Sequence, residues 1–525
     1  MDIPTPRFRK SLTGLALLGL LGSAGQSSTY GREPQNSKGE TMQALQQFSD
    51  NLIEYARDKY GPKHTPLFVS QLEIDSKEIP DPDTVLYGKG HRGGAGATSN
   101  NLLFDNGLIR LFDALTRITG EEKYRRAVDE YLSYYLEHLP EPKTGFFPWG
   151  DHRGYDVLED KTIDAYHEFK RMNPPWERYY QVNPEATATM IKALHRHIFN
   201  PDKSFGYSRH YPSPQKHTPH SMPSSSAAWI AAWAFLHQQT GDETVLEWAR
   251  RMDAYMWSLR NPQTDLLASH PADPAYPGTL EYRDGLRTER TEYMAQLGSY
   301  APNLLIAAEH LGPEKGKVFR EHALAFIRAF TERMDIQEDG SFYHTFKLDT
   351  GEPLFPRLKD AWTFVPAMNE RYHWGNRVFG MRAPIALAFA YRMTGEEDLR
   401  RTFDALLPVY RMEQFAADAP RREYPAGLIA QALTSFLDMY KGSGDKSYLA
   451  HAETLGAYAM RHYYVDGWFV AGPALLERYQ DKRLNTWRMY SNRGGSAELA
   501  LSLLRLKRLQ EGKEDFIGDN PMSYW

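Results

Sequence analysis

The sequence predicts an all-α protein, an α/α toroid (barrel) of about six to seven helical hairpins with long functional loops. Three observations carry that expectation. A helix–glycine–acid–helix turn recurs along the chain, strand signals are scarce with no βαβ unit in view, and about twelve to fourteen helical stretches follow from apolar periodicity. Helices joined by so short a turn lie antiparallel, and such hairpins stack so that inner helices are buried against outer ones. A closed ring of them leaves a groove at one end. An open α-solenoid is the structural alternative.

The chain opens on Arg7, Arg9 and Lys10, followed by the apolar run Leu12–Leu21 and the small residues Gly22, Ser23, Ala24 and Gly25. Basic, then apolar, then small is the layout of a cleavable secretory signal. The run is too short for a bilayer, which needs about 20 apolar residues. A signal peptide over 1–25 is therefore expected, with secreted or periplasmic location as its consequence and a disordered tail as the alternative. The polar, Gly/Ser-rich stretch that follows reads as a linker over 26–40, and 41–525 as a single toroid domain.

Within that domain the turn recurs around Gly120, Gly241, Gly395 and Gly444, with a looser copy at His310-Leu-Gly-Pro-Glu314. In each copy a glycine suited to positive φ ends one helix, and an acidic or small polar residue opens the next, at the positive end of its dipole. Two stretches, about 139–183 and 200–222, break the rhythm with Pro, Gly, His and aromatics. Long ordered loops on a helical scaffold are where function usually sits.

Composition narrows the function. A chain of 525 residues with 41% hydrophobic and 25% charged residues has ample material for a large core. Its net charge of −5 argues against nucleic acid as a partner. Without a single cysteine, disulfides, thiolate metal sites and cysteine nucleophiles are excluded. Aromatics reach 13%, with 11 Trp and 32 Tyr, residues that fill cores and also present flat faces to sugar rings.

The two long stretches hold the candidate chemistry. Phe146-Phe-Pro-Trp-Gly-Asp-His-Arg-Gly-Tyr155 is followed by His167-Glu-Phe-Lys170, and then by a helix start at Asn183-Pro184, a good N-cap with proline in first position. The loop after that helix reads Phe205-Gly-Tyr-Ser-Arg-His-Tyr211. His152, Glu168 and His210 thus lie on three loops flanking one helical element and offer an N,N,O set suited to a divalent transition metal. Spacing alone does not select them, because the chain has 18 histidines.

Trp149-Gly-Asp-His-Arg153, His167-Glu-Phe-Lys170, Gln181-Val-Asn-Pro-Glu-Ala-Thr187 and Ser208-Arg-His210 resemble the family 2 polysaccharide lyases, pectate lyases with an α/α barrel, across about residues 98–212. The resemblance implies a catalytic divalent metal, manganese ahead of nickel, cobalt or zinc, held by His152, Glu168 and His210. It makes Arg209 the Brønsted base and calls for a second arginine, for which Arg287 and Arg290 are candidates. Trp149, Arg153, Lys170 and Tyr207 become candidate substrate contacts, with Tyr155 and Trp176 as further aromatic surfaces. For the charged pair, solvated surface is the competing reading, and for the aromatics, packing under a loop. For Arg209, the competing role is a clamp on a substrate carboxylate. The implied reaction is metal-assisted β-elimination on a polyuronate such as pectate or oligogalacturonate. The implied partner is an acidic polysaccharide, with no nucleic acid or membrane partner after signal cleavage, and the chain is expected to be a monomer.

Two rival functions remain at this level. A glycoside hydrolase on a similar toroid would use two carboxylates, drawn from Asp105, Asp151, Asp156 and Glu168. A glycan-binding scaffold would need no chemistry at all. The denser histidine groups, Leu194-His-Arg-His197 and His217-Thr-Pro-His220, read as packing or surface and as a loop flap. The His91-Arg-Gly-Gly-Ala-Gly96 run lacks the strand and Gly-Lys-Ser/Thr of a phosphate cradle.

Overall fold

The helix-ending glycines behave as their chemistry dictates. Gly120, Gly241, Gly395 and Gly444 all take φ between 69° and 74°, and each N–H closes its helix by donating to the carbonyl four residues back. The acidic residues that follow divide by stem length. Asp242 and Asp445 are short enough to accept from the N–H two residues on, at 2.9 Å each. The longer Glu121 and Glu396 reach away instead, to Lys123 at 2.8 Å and to Arg328 at 2.8 Å. The looser fifth copy is a kink between two helical segments, with Gly312 at φ 74° and ψ −179° followed by Pro313.

These elements come from a computed structural model, which describes residues 38–81, 96–150, 152–163, 167–169, 173–210, 221–268, 270–271, 273–275, 290–292, 296–362, 364–365, 378–379, 381–473 and 486–516. The expected signal peptide lies outside them. Helix α1 (Lys38–Tyr55) begins inside the segment expected as linker. The hairpins that follow are α2 (Leu102–Thr119) with α3 (Glu122–His138), the short α4 (Trp176–Val182) with α5 (Pro184–Ala193), and α6 (Pro223–Thr240) with α7 (Glu243–Ser258). Next come α8 (Ala301–Lys315) with α9 (Lys317–Thr331), α10 (Arg382–Thr394) with α11 (Glu397–Leu406), α12 (Ala426–Ser443) with α13 (Lys446–Tyr463), and finally α14 (Ser496–Gln510).

The inner helices follow one another around the molecule, α6 on α8, α8 on α10, α10 on α12 and α12 on α14, and α14 packs on α2; the circuit is completed by α5 against α6 and by α3, the partner of α2, against α4 and α5. The ring is therefore closed, as expected for a toroid and not for a solenoid. The last helix finds its outer partner in the first, α1 against α14, so the seventh pair joins the two ends of the domain. Burial follows position. Helix α6 is buried on all sides from Pro223 to His237, as an inner helix must be. Outer α7 buries a stripe of Val245, Leu246, Ala249, Met252 and Met256 at helical spacing.

Because the short turns close the hairpins at one end, the described parts of the long connections leave and enter the helices at the other. Short antiparallel strand pairs stitch those connections together. Gln71–Glu73 pairs with Met489–Ser491, Ser99–Asn100 with Tyr155–Asp156, and Ile198–Asn200 with Ser204–Tyr207. No described helix is long and apolar enough to cross a membrane.

Candidate metal centre

Glu168 owes its position to an aromatic stack beneath the loops. Trp149, Phe169 and Trp176 follow one another with ring centres 5.0 Å and 5.6 Å apart, and the Trp229 indole donates to the Phe169 carbonyl at 3.0 Å. The Glu168 N–H donates to the Trp149 carbonyl at 3.3 Å, which lays its segment along the loop carrying His152. Gly150 makes that closeness feasible. At φ 101°, a Cβ there would meet the Glu168 carbonyl oxygen at 2.6 Å and its Cβ at 2.8 Å. Asn101 anchors the same loop to the start of α2: its side-chain oxygen caps the helix, and its amide donates to the carbonyls of Gly150 and Arg153 at 2.7 Å and 2.9 Å.

The third segment arrives from the other side of α5. Asn183 caps that helix by accepting from Ala186 N–H at 3.0 Å, with Pro184 in first position, as the sequence indicates. The α-helix stops at Ala193 and tightens into a 3₁₀ turn over Leu194–His197. The hairpin after it delivers Ser208, Arg209 and His210.

The three segments converge. The Glu168 side chain is fully buried. Its Oε1 accepts from Arg209 Nε at 2.7 Å and lies 3.0 Å from His210 Nε2, while Oε2 lies 3.7 Å from His152 Nε2. One donor atom from each of His152, Glu168 and His210 lies within 4.8 Å of the others, and the two imidazole planes are nearly perpendicular at 86°. Two ligands on opposite sides of an ion at ~2.2 Å would stand about 4.4 Å apart, so the group fits one small divalent ion after shifts of a few tenths of an ångström.

Several sequence expectations are corrected here. Trp149 and Tyr207 are completely buried, and Tyr155 and Trp176 nearly so. A ring face already covered by protein is closed to a sugar. Tyr207 instead pins the next segment, donating to the Met222 carbonyl and accepting from the Met222 N–H at 2.8 Å. Arg153 is mostly covered and faces Glu141 across 3.7 Å, so it is neither free surface nor an open substrate contact. Lys170 and Arg287 lie outside the described residues, as do Asp151, His217 and His220. Arg290 is described only as backbone, in a strand paired with Thr345–Lys347.

Of the acids considered for a hydrolase, Asp105 is buried and accepts from Tyr131 OH at 2.6 Å and from the Asn100 and Asn492 amides. Asp156 accepts from the N–H groups of Leu158 and Glu159 and from Thr98. Sequence reasoning missed the buried pair behind the centre. The side chain of His167, adjacent to Glu168, meets that of His197 at 3.1 Å. Burial first, then the neighbouring His197, holds the His167 imidazole well below its ordinary range. Their only signal was the density of histidines around α5.

Comparison with known proteins supports the resemblance. Residues 66–229, which include all four proposed metal and base residues, match the family described as periplasmic pectate lyase. A pectate disaccharide-lyase of Dickeya dadantii (strain 3937) is 24% identical over 315 residues, covering 54% of each chain, so the present chain spans about half the length of that curated relative. Among solved structures, a D-mannose isomerase is similar at 12% identity with a TM-score of 0.45, covering 91% of this chain and 99% of that one. An unsaturated glucuronyl hydrolase from Bacillus sp. GL1 is similar at 13% identity and a TM-score of 0.45, covering 90% and 97%.

Proposed function

We propose that this protein is a polysaccharide lyase that cleaves a polyuronate, pectate or oligogalacturonate, by metal-assisted β-elimination. The observation that carries the reading is the convergence of His152, Glu168 and His210 beside Arg209, on the segment that matches the pectate lyase family. A divalent cation in that cradle would stabilise the charge that develops on a uronate carboxylate as the adjacent C5 proton leaves.

The chain's own residues supply the rest. Arg209 is the base in this reading. Its Nε is fixed by Glu168, whereas its Nη1 is buried without an acceptor among the described residues. The reading requires a cation in the cradle to share the Glu168 carboxylate with the Arg209 guanidinium. The protein would work outside the cytoplasm, in keeping with the periplasmic description of the matching family and the basic, apolar and small N-terminal layout. The two-carboxylate alternative gains nothing from Asp105 and Asp156, whose oxygens are engaged in holding the loops.

De-esterified pectin tests the proposal directly. With Mn²⁺ the enzyme should generate the ultraviolet absorbance of an unsaturated product, chelation should abolish it, and restored Mn²⁺ should return it. New reducing ends without absorbance would replace the lyase with a hydrolase.

A further inference from the structure

Behind the proposed centre lies a hydrogen-bond chain whose direction the chemistry fixes. His197 Nδ1 stands 2.7 Å from the Ser208 carbonyl oxygen, which can only accept, so the proton is on Nδ1. A neutral His197 ring then has a bare Nε2, and His167 Nδ1, 3.1 Å away, must be the donor to it. Both rings are buried, at 3% exposure for His167 and 0% for His197, and burial favours the neutral form. Phe146 stacks on His167 at 4.2 Å and 16°, and Trp229 lies 5.2 Å from His197, so neither ring is free to turn. The main chain doubles the link, with Ser208 N–H donating to the His197 carbonyl at 3.1 Å.

The two ends of this chain are the immediate neighbours of the functional groups. His167 precedes Glu168, and Ser208 precedes Arg209 and His210. We propose that His167 and His197 are positioning residues, a buried strut that fixes the distance between the Glu168 carboxylate and the Arg209–His210 pair. The proposal rests on the lyase reading for its purpose. The strut itself is a structural statement that stands apart from it. His167, His197 and Ser208 are all buried, away from the surface that a substrate would reach. Its work is to hold two segments from opposite sides of α5 in one register, as outer hydrogen-bond partners do at metal sites.

The test uses the full chain and Mn²⁺ as the probe. Nitrogen-15 spectra of the histidine rings should show both His167 and His197 as the Nδ1–H tautomer. His197→Phe keeps the volume but breaks both bonds. It should weaken Mn²⁺ affinity by ~10–100-fold and lower kcat more than it raises KM. His197→Asn places an amide donor where Nδ1 stood, restores the bond to Ser208, and should recover most of both losses. An Nε2–H tautomer on His197 would overturn the strut, as would a His197→Phe protein with wild-type Mn²⁺ affinity and turnover. If His197→Phe fails to fold, the tautomers and the His197→Asn variant still decide. Wild-type protein that binds no Mn²⁺ and cleaves no pectate would sink the functional reading instead, leaving the ring spectra to judge the strut.

Discussion

At the scale of single residues, the proposed centre turns on how Glu168 shares its charge. One oxygen already serves both Arg209 and His210. Arg209→Lys leaves a cation near the carboxylate but removes the guanidine nitrogen proposed to accept the substrate proton. That variant should retain Mn²⁺ while losing at least ~10²-fold in turnover, whereas His152→Ala should lose both. Equilibrium Mn²⁺ titration beside a lyase assay separates the two outcomes, and a fully active Arg209→Lys enzyme would remove Arg209 as base. His152, Glu168 and His210 were legible only through resemblance, because ligands on three loops leave no periodic trace. The misreading of Trp149 and Tyr207 has a plain cause: an aromatic beside a site looks the same in sequence whether it stacks on sugar or props up the loop. His197 was hidden more deeply, since its neighbours His195 and Arg196 disguise a buried ring as part of a polar run.

At the scale of elements, two kinds of glycine shape this molecule, and one substitution distinguishes them. A Cβ at Gly120 would meet nothing within 4 Å, so Gly120→Ala costs only the strain of a left-handed backbone, about 1–2 kcal/mol. It should lower the melting temperature slightly and leave lyase activity unchanged. At Gly150 the same methyl group would collide with the Glu168 backbone. Gly150→Ala should therefore displace the carboxylate and cost more than ~10-fold in Mn²⁺ affinity, with the helical signal intact. Equal metal affinity in the two variants would show that the Gly150 loop does not set the position of Glu168. The hairpin turns were readable because glycine and acid follow local rules of φ and capping. The seventh pair was not, because α1 and α14 are brought together only by closure of the ring.

At the scale of the whole molecule, that closure gathers the long loops at one rim. The inner helices α2, α6, α8, α10, α12 and α14 all start there, so the positive ends of their dipoles lie at the rim where the proposed anionic substrate would bind. The seam where α14 meets α2 carries an electrostatic cost. Glu498 on α14 fills the space beside Gly107 of α2, where an added Cβ would meet its carboxyl carbon at 2.9 Å, and Asp105 lies two residues away along α2. Burial, then the nearby Asp105, pushes Glu498 up to about 8, and burial pushes Asp105 up to about 7 despite its hydrogen bonds. In the unfolded chain Glu498 loses its proton near its ordinary value of 4.5, while the folded protein keeps it to about 8. Between those values the unfolded state binds fewer protons, so stability falls as pH rises. The melting temperature should decline from pH 5 to pH 8. Glu498→Gln, which cannot ionise, should flatten most of that decline. Any cost of burying its amide is independent of pH and moves the whole curve without tilting it. Thermal melts of both proteins across this range decide the matter: the part of the decline below about pH 7 that Asp105 carries should remain, and an unchanged slope in Glu498→Gln would mean that Glu498 does not hold an extra proton in the folded ring.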